Sequence, residues 1–189
     1  MVHLPKSFEQ VAKKLVNPRV LNSRKFRERE AMIDWGKVHP DIKRFAQAFH
    51  KECKRRGIPL WIFELYRTPY RQEQLRKQKR SRAGPNGSPH QFGCAVDIIS
   101  ADKLWDLTNK EWQLIRTIGF EIARKQNLKL VWGGDWGWDF AHWELENWRE
   151  YRKETQHPTG DYSGVEELSP QWFGAVQAAW KKRKKKALT

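Results

Sequence analysis

Residues 88 to 97 of the chain read Ser88-Pro-His90-Gln-Phe-Gly93-Cys-Ala-Val-Asp97. The preceding residues, 81 to 89, are rich in Gly, Pro and Ser and predict a loop, whereas residues 93 to 99 predict a strand that leaves it. On this interpretation His90 ends the loop and Asp97 extends from the strand. The small Gly and Ala residues between them allow the chain to pack closely there.

A second segment with similar chemistry reads Asp139-Phe-Ala-His142-Trp-Glu144. A catalytic zinc ion takes three protein ligands from His, Asp or Glu and leaves a fourth position for water. His90, Asp97 and His142 would supply that set. Asp139, three residues before His142 on a loop, could reach the water without being a ligand, which suits a general base that later acts as an acid.

Spacing alone does not decide between a metal site and a structural pair. A His beside a carboxylate is commonly an ordinary hydrogen-bonded pair, and each segment taken by itself fits that interpretation. The spacing therefore makes zinc plausible and leaves the structural alternative open.

Around these segments, the hydrophobic periodicity predicts both helices and strands. A capping box beginning at Thr108 marks the start of one helix, and Pro and Gly residues bound the others. Helices are predicted over 41–56, 68–79 and 108–126 and from 169 onward, and strands over 60–66, 128–132 and 141–145. The pattern predicts an α+β fold, with a small antiparallel sheet that carries the zinc site and helices that flank it.

Charge and composition restrict the partners only partly. The formal net charge is +15, which attracts nucleic acid, acidic lipid and anionic wall polymers alike. The first residues lack the apolar stretch of a secretory signal, and no run of about 18 apolar residues could span a membrane. We therefore expect a soluble product of the host cytoplasm, with Cys53 and Cys94 reduced.

The motif Ser-x-His-x-x-Gly-x-Ala-x-Asp, followed downstream by Asp-x-x-His, resembles the zinc peptidoglycan peptidases. This superfamily includes D-alanyl-D-alanine peptidases and L-alanyl-D-glutamate endolysins. The resemblance extends from about His39, through Leu65-Tyr-Arg-Thr-Pro69, to about Leu145. Residues before 30 and after 150 lie outside it.

The resemblance implies roles for the residues of both segments. It assigns His90, Asp97 and His142 to zinc and Asp139 to acid and base catalysis. Many D-alanyl-D-alanine members are similar to Glu-x-x-His at the second motif, whereas the L-alanyl-D-glutamate endopeptidases are similar to Asp-x-x-His, as here. The resemblance is therefore closest to phage L-alanyl-D-glutamate endopeptidases.

Further residues receive weaker assignments. By resemblance, Arg67 faces the substrate, where it would clamp a carboxylate or stabilise the oxyanion, although it could equally be a surface charge. Ser88 would help to hold the peptide. Trp136 is one of four Trp residues around the second motif, which line a cleft or pack in the core. Glu144 alternates with His142 and would orient it, or form a surface pair.

The chain divides into three parts on these grounds. Residues 1–37 form a basic N-terminal segment packed on or leading into the domain, 38–150 the zinc peptidase core, and 151–189 a C-terminal extension. The extension combines an amphipathic helix with the basic run 181–186 and would suit docking on anionic envelope lipid or lipopolysaccharide. The alternative is that the basic run only keeps the protein soluble.

The resemblance thus implies a phage endolysin that hydrolyses peptidoglycan with Zn²⁺ and acts on the wall after release from the host cytoplasm, and we expect it to be a monomer. Two alternatives stay open. One is a D,D-carboxypeptidase or dipeptidase of the same fold. The other is a non-enzymatic basic module that binds envelope or nucleic acid, although we do not expect nucleic acid as a partner.

Overall fold

The computed structural model describes residues 2, 4 to 155 and 169 to 186. Four strands form one antiparallel sheet in the order β1-β2-β4-β3. They are β1 Leu60–Glu64, β2 Ala95–Ser100, β3 Leu130–Trp132 and β4 His142–Leu145. The expected α+β class with a small antiparallel sheet is confirmed.

Eight helices surround this sheet in the described part of the chain. They are α1 Glu9–Leu15, α2 Pro18–Leu21, α3 Arg24–Ala31, α4 Pro40–Arg55, α5 Pro69–Lys77, α6 Asn109–Lys125, α7 Trp148–Glu154 and α8 Ser169–Lys186. Short 3-10 turns occur at Lys6–Phe8, Trp35–Lys37, Pro89–Phe92 and Gly133–Trp136. The predicted helices match α4, α5, α6 and α8 to within a few residues at each end.

The main core lies between the sheet and helices α4 and α6. Trp143 of β4 is fully buried, and its ring packs against Phe45 and Phe49 of α4 and Phe120 of α6. Side chains alternate between the faces of a strand. Because Trp143 points into this core, its neighbours His142 and Glu144 point to the opposite face of the sheet.

The central strands β2 and β4 bring the two motif segments together. Their antiparallel register pairs Asp97 directly with His142. Strand β1 ends at Glu64 and is therefore shorter than predicted. Its pairing register shifts between Ile62 and Glu64, and such a bulge bends the strand.

The N-terminal segment is folded onto the domain by three short helices that the sequence pattern did not predict. Phe26 of α3 is fully buried and stacks on Trp61 of β1. The Val2 backbone N–H donates to Glu52 of α4 at 3.3 Å. Helices this short show no clear hydrophobic period, so their formation depends on tertiary packing.

Helix α8 packs against the turn Pro89–Phe92. The indole N–H of Trp172 donates to the Gln91 carbonyl at 2.9 Å, and that of Trp180 donates to the Phe92 carbonyl at 3.1 Å. The aromatic face expected to dock on lipid is thus buried against the protein core. Residues 156–168 and 187–189 of the expected extension lie outside the described residues.

The basic end of α8 is paired with α7. Lys182 forms an ion pair with Glu154, and Arg183 forms one with Glu150. Part of the basic run therefore holds two C-terminal helices together. Among the described residues, no helix is both long and apolar enough to cross a membrane.

Candidate active site

His90 lies within the 3-10 turn Pro89–Phe92 rather than at the end of an irregular loop. The Ser88 backbone N–H donates to the side chain of Gln91 at 3.2 Å, which caps the turn. Gly93 ends it with a left-handed backbone, φ +65°. A Cβ at Gly93 would lie 2.7 Å from the Lys37 carbonyl oxygen, so glycine is required for both reasons.

Three side-chain atoms converge from the turn and the two central strands. Nε2 of His90 lies 3.2 Å from Nδ1 of His142 and 3.3 Å from Oδ1 of Asp97. Nδ1 of His142 lies 3.0 Å from the same carboxylate oxygen. Zinc–nitrogen bonds of 2.0–2.1 Å in a tetrahedron place neighbouring ligand atoms about 3.3 Å apart. The three residues therefore fit a zinc ion, and they form a group that could hold a metal.

The second nitrogen of each histidine is held by the protein. Nδ1–H of His90 donates to the carbonyl oxygen of Leu65 at 2.7 Å, and Nε2–H of His142 donates to Glu144 at 3.0 Å. Each bond fixes the ring orientation and leaves the other nitrogen facing the shared centre, as metal-ligating histidines require.

The charges of the site favour a cation at its centre. Burial raises the pKa of Asp97, but the two histidines outweigh this effect and hold that pKa well below its usual range. Burial lowers the pKa of His142, but hydrogen bonds to Asp97 and Glu144 outweigh it and raise that pKa to about 10. The surrounding carboxylates thus stabilise a positive charge where the three ligand atoms meet.

Asp139 lies beside these residues without belonging to the convergent set. Burial raises its pKa above the usual value for an aspartate, although the cationic neighbours partly offset this. Its carbonyl oxygen accepts from the His142 backbone N–H at 3.1 Å. A Cβ at Gly133 would approach that oxygen to 2.4 Å, so the loop closes tightly only with glycine there.

Arg67 is buried, with 9% of its surface exposed, so the surface-charge interpretation is wrong. Its guanidinium donates to Gln72 at 2.8 Å and pairs with Glu64, and it lies 3.8 Å from Asp97. No hydrogen-bond partner for its Nε occurs among the described residues. Arg67 therefore lines the cleft beside Asp97, held in place by Gln72 and Glu64.

The cleft that contains these groups has a volume of about 910 Å³. Ser88, expected to hold peptide, lines it but is buried. Trp136 is exposed in the cleft, and its ring lies 5.6 Å from that of His142. Trp132 and Trp143 are fully buried instead and belong to the core.

Sequence reasoning missed several cleft residues. Phe63 and Trp105 line it, as do basic side chains from α5, the following loop and α7. These basic residues are Arg71, Lys79, Arg80, Arg82 and Arg149. None belongs to a motif, and an isolated charge or aromatic residue carries no local signal that distinguishes a cleft from any other surface.

The sequence and the structure of this chain are similar to those of known proteins. Residues 82–145 match the family model described as D-alanyl-D-alanine carboxypeptidase. The chain is 28% identical over 132 residues to the peptidoglycan L-alanyl-D-glutamate endopeptidase CwlK of Bacillus subtilis (strain 168), which covers 57% of this chain and 73% of that protein. The matched region 82–145 contains His90, Asp97, Asp139 and His142.

Among solved structures, the L-Ala D-Glu endopeptidase ChiX of Serratia marcescens has a TM-score of 0.52 and 23% identity to this chain. The superposition covers 68% of this chain and 91% of ChiX. The two proteins share a fold.

Proposed function

We infer that the chain belongs to the superfamily of peptidoglycan peptidases that includes D-alanyl-D-alanine and L-alanyl-D-glutamate peptidases. We propose that it is a zinc enzyme that cuts the L-alanyl-D-glutamate bond of the stem peptide. The observation that carries the proposal is the convergence of His90, Asp97 and His142, with ligand atoms 3.0 to 3.3 Å apart.

His90, Asp97 and His142 would hold the zinc ion, which supplies a Lewis acid for polarising a carbonyl and lowering the pKa of water. Asp139 accepts the proton of the attacking water and later gives it to the leaving amine. Arg67, which Gln72 and Glu64 hold beside Asp97, would contribute positive charge that stabilises the developing oxyanion.

Replacing Asp139 tests its catalytic role. Asp139→Asn keeps the size of the side chain but cannot take a proton, so hydrolysis of purified peptidoglycan should fall by about 10²–10⁴-fold. Zinc content, measured by elemental analysis, should stay at one ion per chain. His142→Ala should instead lose the metal together with the activity.

Asp135→Asn is the matched control. Asp135 lies on the same loop, but its exposed carboxylate pairs with Arg116 on the surface. Wild-type activity is expected from this variant. Retained activity in Asp139→Asn would contradict the proposed mechanism, and retained zinc in His142→Ala would contradict the ligand assignment.

The choice of bond is supported by Asp139 itself and by the name of one relative. An aspartate three residues before His142 is similar to the L-alanyl-D-glutamate branch, and CwlK carries that activity in its name. The description of the matching family model favours the alternative, a carboxypeptidase. Mass spectrometry of fragments from digested wall distinguishes the two: release of C-terminal alanine alone would contradict endopeptidase action.

We further propose that the enzyme is a phage endolysin that acts as a monomer. Its motifs resemble those of phage endopeptidases, and the ligand set of His90, Asp97 and His142 needs no residue from a second copy. The basic end of α8 would bring it to anionic envelope lipid or lipopolysaccharide. Deleting residues 184–189 keeps the ion pairs of Lys182 and Arg183. It should weaken lysis of intact cells more than hydrolysis of purified wall, and equal losses would argue against this role.

A further inference from the structure

Two exposed aromatic residues that no motif contains form a wall of the cleft. Phe63 is 37% exposed and Trp105 is 52% exposed. Their rings meet edge to face with centroids 4.9 Å apart, and both line the cleft that contains Asp97 and His142. Exposed aromatic surface beside a catalytic cleft is unfavourable in water unless a ligand covers it.

This aromatic pair lies on the β1 side of the sheet. Phe63 directly precedes Glu64, which pairs across the strands with Asp97. The second exposed pair, Trp136 and Trp138, follows β3 at the other edge of the sheet. The convergent His and Asp residues on β2 and β4 therefore lie between two aromatic walls.

The turn that carries Trp105 is held rigidly. The Ser100 hydroxyl accepts from the backbone N–H groups of Asp102 and Lys103 at 3.2 and 3.0 Å. Ser100 and Leu104 also exchange two backbone hydrogen bonds, and Leu104 has a left-handed φ of +56°. A bulky residue in that conformation is strained and persists only where its surroundings hold it. The backbone that carries Trp105 is thus held in place beside the cleft.

Arg29 of α3 holds the other half of the pair. It donates to the Phe63 carbonyl at 3.2 Å, and its guanidinium carbon lies 5.3 Å from the centre of the Phe63 ring. These contacts position a set of apolar ring faces and an N–H donor around one corner of the cleft. Both aromatic side chains have few rotatable bonds, so binding a ligand there orders little that is free.

We propose that Phe63 and Trp105, with Arg29, bind the pyranose ring of the glycan strand that carries the stem peptide. This inference rests on the proposed function. A pyranose presents apolar C–H groups on its face and hydroxyl and acetamido groups at its rim, which match an aromatic wall beside an arginine.

The length of the substrate supports a sugar near the metal site. In peptidoglycan a single L-alanine and a lactyl group separate the L-alanyl-D-glutamate bond from the sugar. One extended residue spans about 3.3–3.6 Å, so the sugar lies close to the scissile bond and within reach of the same cleft. At the opposite wall Arg82 lies 4.9 Å over Trp138. The Arg29 guanidinium is already hydrogen-bonded to the Phe63 carbonyl, so Arg82 better matches the carboxylates of the peptide. The sugar therefore occupies the β1 side.

Binding to peptide-free glycan tests the subsite without requiring catalysis. Glycan strands are prepared from purified wall by removing the stem peptides with an N-acetylmuramoyl-L-alanine amidase, and surface plasmon resonance measures their binding to the immobilised full chain. Trp105→Ala should weaken this binding by about tenfold, as expected for the loss of one aromatic contact. Phe63→Leu, which keeps an apolar side chain in β1, should weaken it in the same direction.

Trp138→Ala is the matched control, because Trp138 is 53% exposed in the same cleft but lies on the other wall. It should keep the wild-type affinity for glycan. Thermal unfolding checks that all three variants are folded. Unchanged glycan binding in both Trp105→Ala and Phe63→Leu would overturn the subsite.

Hydrolysis of intact wall by the wild type is followed in parallel. Glycan binding that depends on Trp105 without any wall hydrolysis would support the subsite and overturn the proposed activity. Wall hydrolysis together with glycan binding that neither substitution weakens would support the proposed activity and overturn the subsite.

Discussion

Glu144 connects the candidate metal centre to the rest of the molecule. One of its oxygens accepts from Nε2–H of His142 at 3.0 Å, and the other accepts from the indole N–H of Trp148 at 3.0 Å. Trp148 is the first residue of α7 and is buried. The orientation of a proposed ligand is therefore set by a carboxylate that α7 holds in place.

We expect Glu144→Gln to weaken zinc binding by about 10–100-fold, the usual effect of altering a group that orients a metal ligand. The amide keeps the size of the side chain but removes the charge that supports the imidazole. Zinc affinity is measured by competition with a chromophoric chelator.

Glu146→Gln is the control for that measurement. Glu146 follows β4 and is exposed, so its replacement should leave zinc affinity unchanged. Equal affinities for Glu144→Gln and the wild type would show that His142 does not depend on this hydrogen bond.

At the scale of elements, helix α6 approaches the sheet through a glycine. A Cβ at Gly119 would lie 2.2 Å from the ring of Trp143. Trp143 is the residue between His142 and Glu144, so a displaced indole would also move the site. The close contact explains why a glycine stands in the middle of a long helix despite its low helix propensity.

Gly119→Ala should lower the free energy of unfolding by about 1–3 kcal/mol, because the added methyl group overpacks the core. Gly174 in α8 offers a matched comparison, since a Cβ there would meet nothing within 4 Å. Gly174→Ala should raise the free energy of unfolding by about 0.5–1 kcal/mol. Urea denaturation measures both, and a stabilised Gly119→Ala variant would contradict the packing described for Trp143.

At the scale of the whole molecule, His39 joins the core to the C-terminal helices. Its Nδ1 accepts from the Asp41 N–H at 3.2 Å and so caps α4. Its ring packs 4.8 Å from that of Tyr151 in α7 and 5.4 Å from that of Trp180 in α8. Burial lowers the pKa of His39 to about 4, although Asp41 partly offsets this.

Stability should therefore fall as the pH is lowered from about 6.5 to 4. In that range the unfolded chain takes up a proton at His39 and the folded chain does not, so protons favour unfolding. His39→Asn keeps a capping oxygen but cannot titrate, and it should lose less stability between pH 7 and pH 5 than the wild type. Calorimetric Tm values with a chelator present throughout exclude effects of metal loss, and equal losses would contradict this role.

Local sequence patterns were sufficient to predict much of the fold and of the candidate site. Helices α4 and α6 follow from apolar residues at helical spacing and from capping residues, and the α+β class follows from the short strands between them. The resemblance to zinc peptidoglycan peptidases rests on Ser88, His90 and Asp97 in one segment and on Asp139 and His142 in the other. These features depend on residues close together in the chain, where propensity and periodicity act.

Only the tertiary structure decided the rest. The Leu65 carbonyl and Glu144 determine which ring nitrogen of His90 and of His142 faces the site. Arg67 forms ion pairs with Glu64 and Asp97. Helix α8 covers the turn that contains His90 with Trp172 and Trp180. The short helices α1, α2, α3 and α7 also depend on packing. These outcomes arise from contacts between residues distant in sequence, which no periodic pattern encodes, because each contact forms only once the sheet has brought its partners together.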